Sequence, residues 1–579
     1  MKKSVHTVSI ELIDATLNSA YGAELGLGEN THEPALRYIG QLVQQTQNEE
    51  LVAAIVEARL PEGYSGDTLK EVPKMITSAI EKGFDKNKKP ASSDDKQSTE
   101  AMSEIKTSGM TLFHDSLGKT YATFKDHING SIVVPIGSLD MKNRIQYSFF
   151  KANGKAISSS ALAEVVDTLM AQASFEGTTE EIHLRLGAFE NEAYIDRGDD
   201  KQNFIKLAKG EWSIVEKSPV KFRRSPGFKT LPIPTRDADP SGMQELLGLD
   251  DDNFVLFVAF LLMCLNPRGP YMLLLVQSVQ GSGKSYLCSV IKMIVDPSVV
   301  VKQRIPGTER DLAIQAKDHH LLSYDNASSI KNDMSDAFCT LATGGAFSTR
   351  KLYSDDDAQI FQHIRPVIMN GIGDYVYRPD LMERSVQLKL SPIAEHNRKT
   401  EAEMDKRFNA LLPGFLGYLY DCAAHALDNL DKVDPPRSIR MADAAHFVVA
   451  AEPAAGFKQG QFLQALERVR DEIMIDRAVN DSLGLALQKT LNRLPNNEFD
   501  GRVGELFEKI AEETSDQRIA LPKSPSALSN ALKRSEPMLA KIGLMIEFGS
   551  RSNQGSNVRL WMVDNKNRED HDLHSGLDI

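Results

Sequence analysis

The chain has 579 residues, 41% of them hydrophobic and 25% charged, with a net charge of −13 and four cysteines. That length implies several domains, roughly three to five, and the acidic balance excludes a generally basic nucleic-acid coat, so any DNA contact must come from a local patch or a channel. The longest apolar run, Phe254–Leu265, is too short to span a bilayer, and the Met-Lys-Lys N-terminus is followed by no secretory apolar region. Cys264, Cys288, Cys339 and Cys422 stand isolated in apolar contexts. That pattern fits neither zinc nor disulfides and reads as buried, reduced thiols in a cytoplasmic protein with no membrane partner.

In chain order, residues 1–84 carry helical apolar spacing, as in Ala35-Leu36-Ile39-Leu42-Val43 and Val72-Met75-Ile76-Ile80. Residues 85–109 are rich in Lys, Ser and Asp and read as a flexible linker. Residues 110–228 change to short strands and turns, an α+β module with hairpins at Asp115–Gly118 and Phe189–Glu192. A Pro-rich link and a helical collar fill residues 229–270 and lead into the most informative stretch of the chain.

That stretch is Leu273–Ser285, LLLVQSVQGSGKS, an apolar strand running into a phosphate-binding loop. Backbone N–H groups over Gln280, Gly281, Ser282, Gly283 and Lys284 can surround a β-phosphate, and glycine tolerates the close approach at 281 and 283. Lys284 offers a point charge to the β- and γ-phosphates, and the Ser285 hydroxyl can complete a Mg²⁺ shell. The helix from about Tyr286 to Val295 turns its positive end onto the same anion, so Gln280–Tyr286 form the expected ATP contact. The first glycine of the motif is replaced by Ser278.

The following strands complete the expected site. Asp318–Asn326 reads as a short buried strand ending in an acid, Asp325, the expected Mg²⁺-side group, and Arg365–Asn370 is a second apolar strand that ends in an amide suited to orienting water. Arg384, in RPDLMERSVQLKL, stands at a helix end before a last strand, the station of an arginine finger that reaches a neighbouring subunit. Asn326 occupies the place where a Glu would polarise water; an amide positions water but cannot take its proton.

The ordered set GSGKS, DLAIQAKDHHLLSYDNAS, LATGGAFSTRKLY, RPVIMNGIGD and RPDLMERS resembles the superfamily 3 helicase branch of AAA+ ATPases. It is more closely similar to ATP-binding proteins of phages and mobile elements related to poxvirus-type primase-helicases. The resemblance runs from about residue 110 to about 560 and implies an α/β AAA+ P-loop core over 271–392. It also implies a ring-shaped homo-oligomer, a hexamer, that encircles single-stranded or forked DNA and moves along it with ATP hydrolysis. Arg350 and Lys351 fall where that family places a channel β-hairpin, and a basic pair beside Tyr353 suits phosphate contact and stacking. The alternative is a surface ion pair with Asp355–Asp357. The module at 110–228 is a candidate dock for a primase or replication initiator.

Residues 393–497 resemble a helical lid. Residues 498–564 follow winged-helix grammar of helix, helix, strand, glycine-rich loop and strand, with Lys533, Arg534 and Arg551 as candidate duplex contacts. The tail 565–579 is polar and expected to be disordered. The leading reading is an ATP-driven DNA helicase or translocase in replication of a phage or integrated element. The alternative is an ATP-binding oligomeric switch or loader, for example in antiphage defence.

Overall fold

The structure is a computed structural model that describes residues 20–25, 31–44, 46, 48–81, 93–107, 109–126, 130–278, 281–350, 358–371, 376, 378–393, 396, 398–514, 522–552 and 555–563. The chain forms two compact units, Met1–Leu112 with Pro135–Glu176, and Phe113–Val134 with Gly177–Ile579. The second interrupts the first in sequence, so the expected α+β module over 110–228 is not one body.

In the first unit, helices Ala20–Leu25, His32–Val43, Glu49–Arg59 and Asp67–Glu81 close on a small core that includes Tyr38, Ile39, Val52, Val56, Val72 and Ile76. Residues 93–107 correct the linker reading, because they form helix Ser93–Thr107, which packs on helices Leu139–Asn153 and Ser159–Phe175. Only a narrow stripe of it is buried, at Ser98, Ala101 and Ile105. Its N-terminal end is pinned by side-chain bonds: Ser158 N donates to Gln97 Oε1 at 2.8 Å and Ser158 Oγ to Asp94 Oδ1 at 2.9 Å.

The second unit begins with small sheets. Strands Gly130–Pro135, Thr120–Asp126, Thr111–His114 and Thr178–Thr179 lie side by side in that order. A four-stranded antiparallel meander, Leu186–Phe189 to Glu211–Val215, packs its apolar face on the long helix Glu401–Asn429. Pro413 lies inside that helix, and Thr235 N donates to Pro413 O at 2.9 Å as the Pro-rich loop crosses Gly414 and Gly417. Helix Asp251–Cys264 is buried along its length from Asn253 onward and lies at the centre of the main core.

The parallel-sheet core is labelled in chain order as β1 (Leu273–Gln277), α1 (Lys284–Val295), α2 (Glu309–Asp318), β2 (Leu322–Ala327) and α3 (Asn332–Thr343). It continues with β3 (Ala346–Arg350), β4 (Ala358–Gln362), β5 (Val367–Gly371), α4 (Pro379–Glu383) and β6 (Ser385–Lys389). The central sheet has the order β2-β5-β1-β6, all parallel, and a bridge from Gln303 to Tyr324 extends it by one edge position. Burial on both faces explains the nearly unbroken apolar runs of β1 and β5. Strands β3 and β4 form an antiparallel hairpin outside this sheet, with Arg350 opposite Ala358.

A buried charge network holds α1 to the preceding module. Lys292 Nζ donates to Asp296 Oδ2 at 2.7 Å and to Leu321 O at 2.7 Å, and Arg185 Nε donates to Asp296 Oδ1 at 3.4 Å. The N–H groups of His320 and Leu321 close on the same carboxylate at 2.9 and 3.2 Å. Arg185 also donates to the carbonyls of Asp196, Lys229 and Pro297 and stacks on Phe228 at 3.4 Å. Burial alone would raise the Asp296 pKa; Lys292 and Arg185 outweigh it and hold the carboxyl well below the usual range.

The C-terminal region begins earlier than the expected residue 498. Helix Ser482–Leu491 and strand Glu498–Arg502 join helices Val503–Thr514 and Pro525–Lys541 and the strand pair Leu544–Ser552 and Gly555–Met562. The three strands pair in the order first, third, second around a core that includes Leu487, Leu506, Leu532 and Leu560. All four cysteines are buried and unbridged. The tail 565–579 lies outside the described residues.

Candidate functional site

The apolar strand β1 delivers the loop to the C-terminal edge of the sheet. There Gly281 and Gly283 adopt φ of 82° and 80°, a left-handed conformation that costs glycine little. Gly283 then caps α1. Lys284 Nζ folds back on the loop and donates to Ser278 O at 2.9 Å, with Ser282 Oγ at 3.5 Å. Burial lowers its pKa, while Cys288 and Asp325 oppose that shift. Gln280 lies outside the described residues.

Asp325 stands within β2 rather than at its last residue. Ser285 Oγ donates to Asp325 Oδ1 at 2.9 Å, so the loop hydroxyl and the strand acid are in direct contact. Two adjacent hard oxygen ligands of this kind suit Mg²⁺, which keeps most of its shell as water and substrate phosphate. Among the described residues no cluster of three or more His, Cys, Asp or Glu side chains could hold a metal by itself.

Asn370 is carried on β5 between the loop strand and the acid strand, in register with Val276. Its Oδ1 accepts from Asn326 N at 3.1 Å, and its Nδ2 donates to Cys288 Sγ on α1 at 3.3 Å. Asn326 has φ of 58° where the pairing of β2 slips between Tyr324 and Ala327. That kink turns the Asn326 side chain into solvent. Asn370 thus holds the backbone of Asn326 in a conformation that few non-glycine residues adopt. Asp325 and Asn326 open onto a cleft of about 690 Å³, also lined by Lys302, Gln303, Arg304 and Lys331.

Two residues absent from the sequence reading cover the loop. A Cβ on Gly281 would lie 3.6 Å from Arg398 Nη2, and one on Gly283 would lie 3.4 Å from Ile393 Cδ1. Both belong to the chain returning after β6, and no spacing in the sequence marks them. Tyr286 packs against the main core, and burial, followed by Asp405, raises its hydroxyl pKa.

The remaining candidates lie apart from this centre. Arg384 is paired within its own chain, with the Asp380 carboxylate and with Asp380 O at 3.2 Å, while Arg440 shares Asp380 and reaches Glu383. Arg350 ends β3, and Lys351 lies outside the described residues, as do Asp355–Asp357. Lys533 and Arg534 are exposed on helix Pro525–Lys541, with Lys533 Nζ 5.4 Å from the Phe548 ring centre, and Arg551 pairs with Ser556 at the far end of the strand pair.

The geometry brings a glycine loop, an acid and an amide to one edge of a parallel sheet, and comparison with known proteins adds family likenesses. Residues 249–474 match the family model of the actinomycete integrative conjugative element replication protein, and residues 483–571 match that of the AICE RepA C-terminal domain. Over these two segments, which together make up just over half of it, the chain is similar to replication proteins of integrative conjugative elements. No curated protein matches the chain. Similar solved structures include an A-form apo structure of the NrS-1 C-terminal region, 13% identical with a TM-score of 0.38, covering 80% of this chain and 99% of that one. Another is the SCCmec type IV Cch active helicase, 10% identical with a TM-score of 0.40, covering 78% and 92%. Likenesses of that size carry no argument about this chain. No helix among the described residues is long and apolar enough to cross a membrane.

Proposed function

We propose that the chain is an ATP-dependent DNA helicase or translocase of the AAA+ type, acting as a ring-shaped oligomer in replication of a mobile element. The observation that carries this reading is the contact of Ser285 with Asp325 beside a glycine loop, with Asn370 joined to the next residue. The parallel sheet with the loop strand between β5 and β6 supports it, because this order brings loop, acid and amide to one edge.

In this reading the amides of residues 281–285 bind the β-phosphate, and Lys284 leaves Ser278 O for the β- and γ-phosphates. Ser285 and Asp325 would hold Mg²⁺, which when bound would supply positive charge to the phosphates. Asn370 fixes the Asn326 backbone, so the Asn326 amide can orient water, and the loose transition state of phosphoryl transfer makes proton removal a small part of the barrier. Arg384 would act on a neighbouring subunit's nucleotide after exchanging Asp380 for phosphate. The C-terminal fold supports a winged helix presenting Lys533, Arg534 and Arg551 to duplex DNA. The hairpin β3–β4 supports a strand contact through Arg350 and Lys351.

Strand separation on a forked duplex tests the reading: the chain should separate strands with ATP and fail with a non-hydrolysable analogue. Asn326 favours a second reading, a slow ATP switch that loads a partner. That reading gains if DNA binding follows nucleotide occupancy alone and no strand separation occurs.

A further inference from the structure

Beside residues 363–365, where the chain leaves β4, four cationic side chains and one imidazole gather from four separate segments, with Arg223 donating to Lys317 O at 2.5 Å. Lys119 leaves the turn Asp115–Gly118, Arg223 follows strand Lys221–Phe222, Lys317 lies in the last turn of α2, and His363 and Arg365 follow β4. The two carboxylates nearby are already engaged. Asp318 Oδ1 accepts from Arg223 at 2.9 Å, and Asp115 accepts Leu117 N, Lys119 N and Tyr121 OH at 3.0, 2.8 and 3.1 Å. Arg365 is turned onto carbonyls, donating to Ala316 O and Ile364 O at 3.0 Å each. Lys119 and Lys317 form no ion pair among the described residues.

The ammonium groups also feel one another. Burial, then Lys317 and Arg223, push Lys119 down to about 8, and burial with Arg365, Arg223, Lys317 and Lys119 pushes His363 down to about 3. Like charges brought together and partly desolvated are unfavourable unless an anion from outside the chain joins them.

We propose that Lys119, Lys317 and Arg223 form a binding site for phosphate groups of a single-stranded nucleic acid backbone that runs along hairpin β3–β4. The Lys119 ammonium stands 5.3 Å from the centre of the Tyr121 ring, which is itself buried against Phe113, so the ring positions the lysine and does not stack a base. In a chain of net charge −13, Lys119 and Lys317 beside the Asp318-paired Arg223 make a local reversal of sign, which steers a polyanion to one place. The site lies at the base of hairpin β3–β4, where the chain leaves β4, and rests on the proposed function only for the source of the phosphate.

The test is anisotropy of a labelled oligothymidylate across a salt series, using the full chain without nucleotide. Lys119→Ala with Lys317→Ala should weaken binding roughly tenfold at low salt and flatten the log–log salt slope by about 1.4, two lost contacts at about 0.7 each. Lys119→Arg with Lys317→Arg should keep the slope. The melting temperature of the alanine pair should stay level or rise, because repulsion is relieved, and ATP turnover without DNA should be unchanged. A parent that binds the oligonucleotide with a slope equal to that of the alanine pair overturns the site and leaves the proposed function standing. A parent that binds no oligonucleotide overturns both. If submillimolar inorganic phosphate stabilises the parent but not the alanine pair, and the oligonucleotide slopes match, the site takes free phosphate and the nucleic-acid assignment is wrong.

Discussion

Asp296→Ala removes the one carboxylate that faces both Lys292 and Arg185, whose side chains are each about 1% exposed. Two cations then remain buried among carbonyl oxygens and the Phe228 ring, with one other carboxylate, Asp196, near Arg185 and already paired with Arg224. Breaking a buried pair in this way costs about 3–5 kcal/mol. Lys292 can shed its proton, since burial already lowers its pKa, so the lower end of that range applies first. Lys292→Met should cost less, because Arg185 and Asp296 still balance one another. At about 2 °C per kcal/mol for a domain of this size, Asp296→Ala should lower the thermal midpoint by about 6 °C or more. Differential scanning with circular dichroism at neutral pH reads the shift. A midpoint within about 2 °C of the parent, or a larger loss in Lys292→Met, would refute the claim that this carboxylate neutralises both cations.

Further outcomes follow from single contacts. Gly417→Ala puts a Cβ 1.8 Å from Thr235 O and should destabilise strongly, whereas Gly504→Ala meets nothing within 4 Å in a helix and should stabilise by about 0.5–1 kcal/mol, both read by chemical denaturation. Asn370→Ala should lower kcat for ATP at least tenfold with little change in KM, because the amide supports Asn326 rather than the bound phosphates. Burial, the first cause, holds the His320 pKa at about 4 against an ordinary 6.5. The unfolded chain therefore binds more protons below about 6.5, and stability should fall as pH drops from there towards 4, by roughly 3 kcal/mol for this group. Mixing Arg384→Ala with Lys284→Ala chains should restore part of the turnover that each lacks alone, if the arginine acts across a subunit boundary.

The site was legible where chemistry and strand pattern coincide. An apolar run into GSGKS fixes a strand, a loop and a helix start, and Asp325 and Asn370 each follow a run of buried residues that only a covered parallel sheet requires. Helix Ser93–Thr107 was not legible, because its polar sequence offers a narrow stripe that becomes helical through packing on two distant helices. Lys292 reads as a solvated helix charge until Arg185 and Asp296, 111 positions apart, are brought together. Helix Ser482–Leu491 continues the apolar spacing of the helix before it, and only the Asp481 cap, accepting from Gly484 N at 2.8 Å, separates the two. Arg398 and Ile393 meet the loop through chain return alone.

The central claim is that loop, acid and amide turn over ATP in the service of DNA, and steady-state ATP hydrolysis by the purified chain with and without single-stranded DNA tests it most directly. The account predicts turnover that rises with DNA and disappears in Lys284→Ala, whose fold should survive because Lys284 Nζ bonds Ser278 O and Ser282 Oγ of its own loop. Equal turnover in Lys284→Ala and the parent, or turnover indifferent to DNA at every concentration, would contradict it.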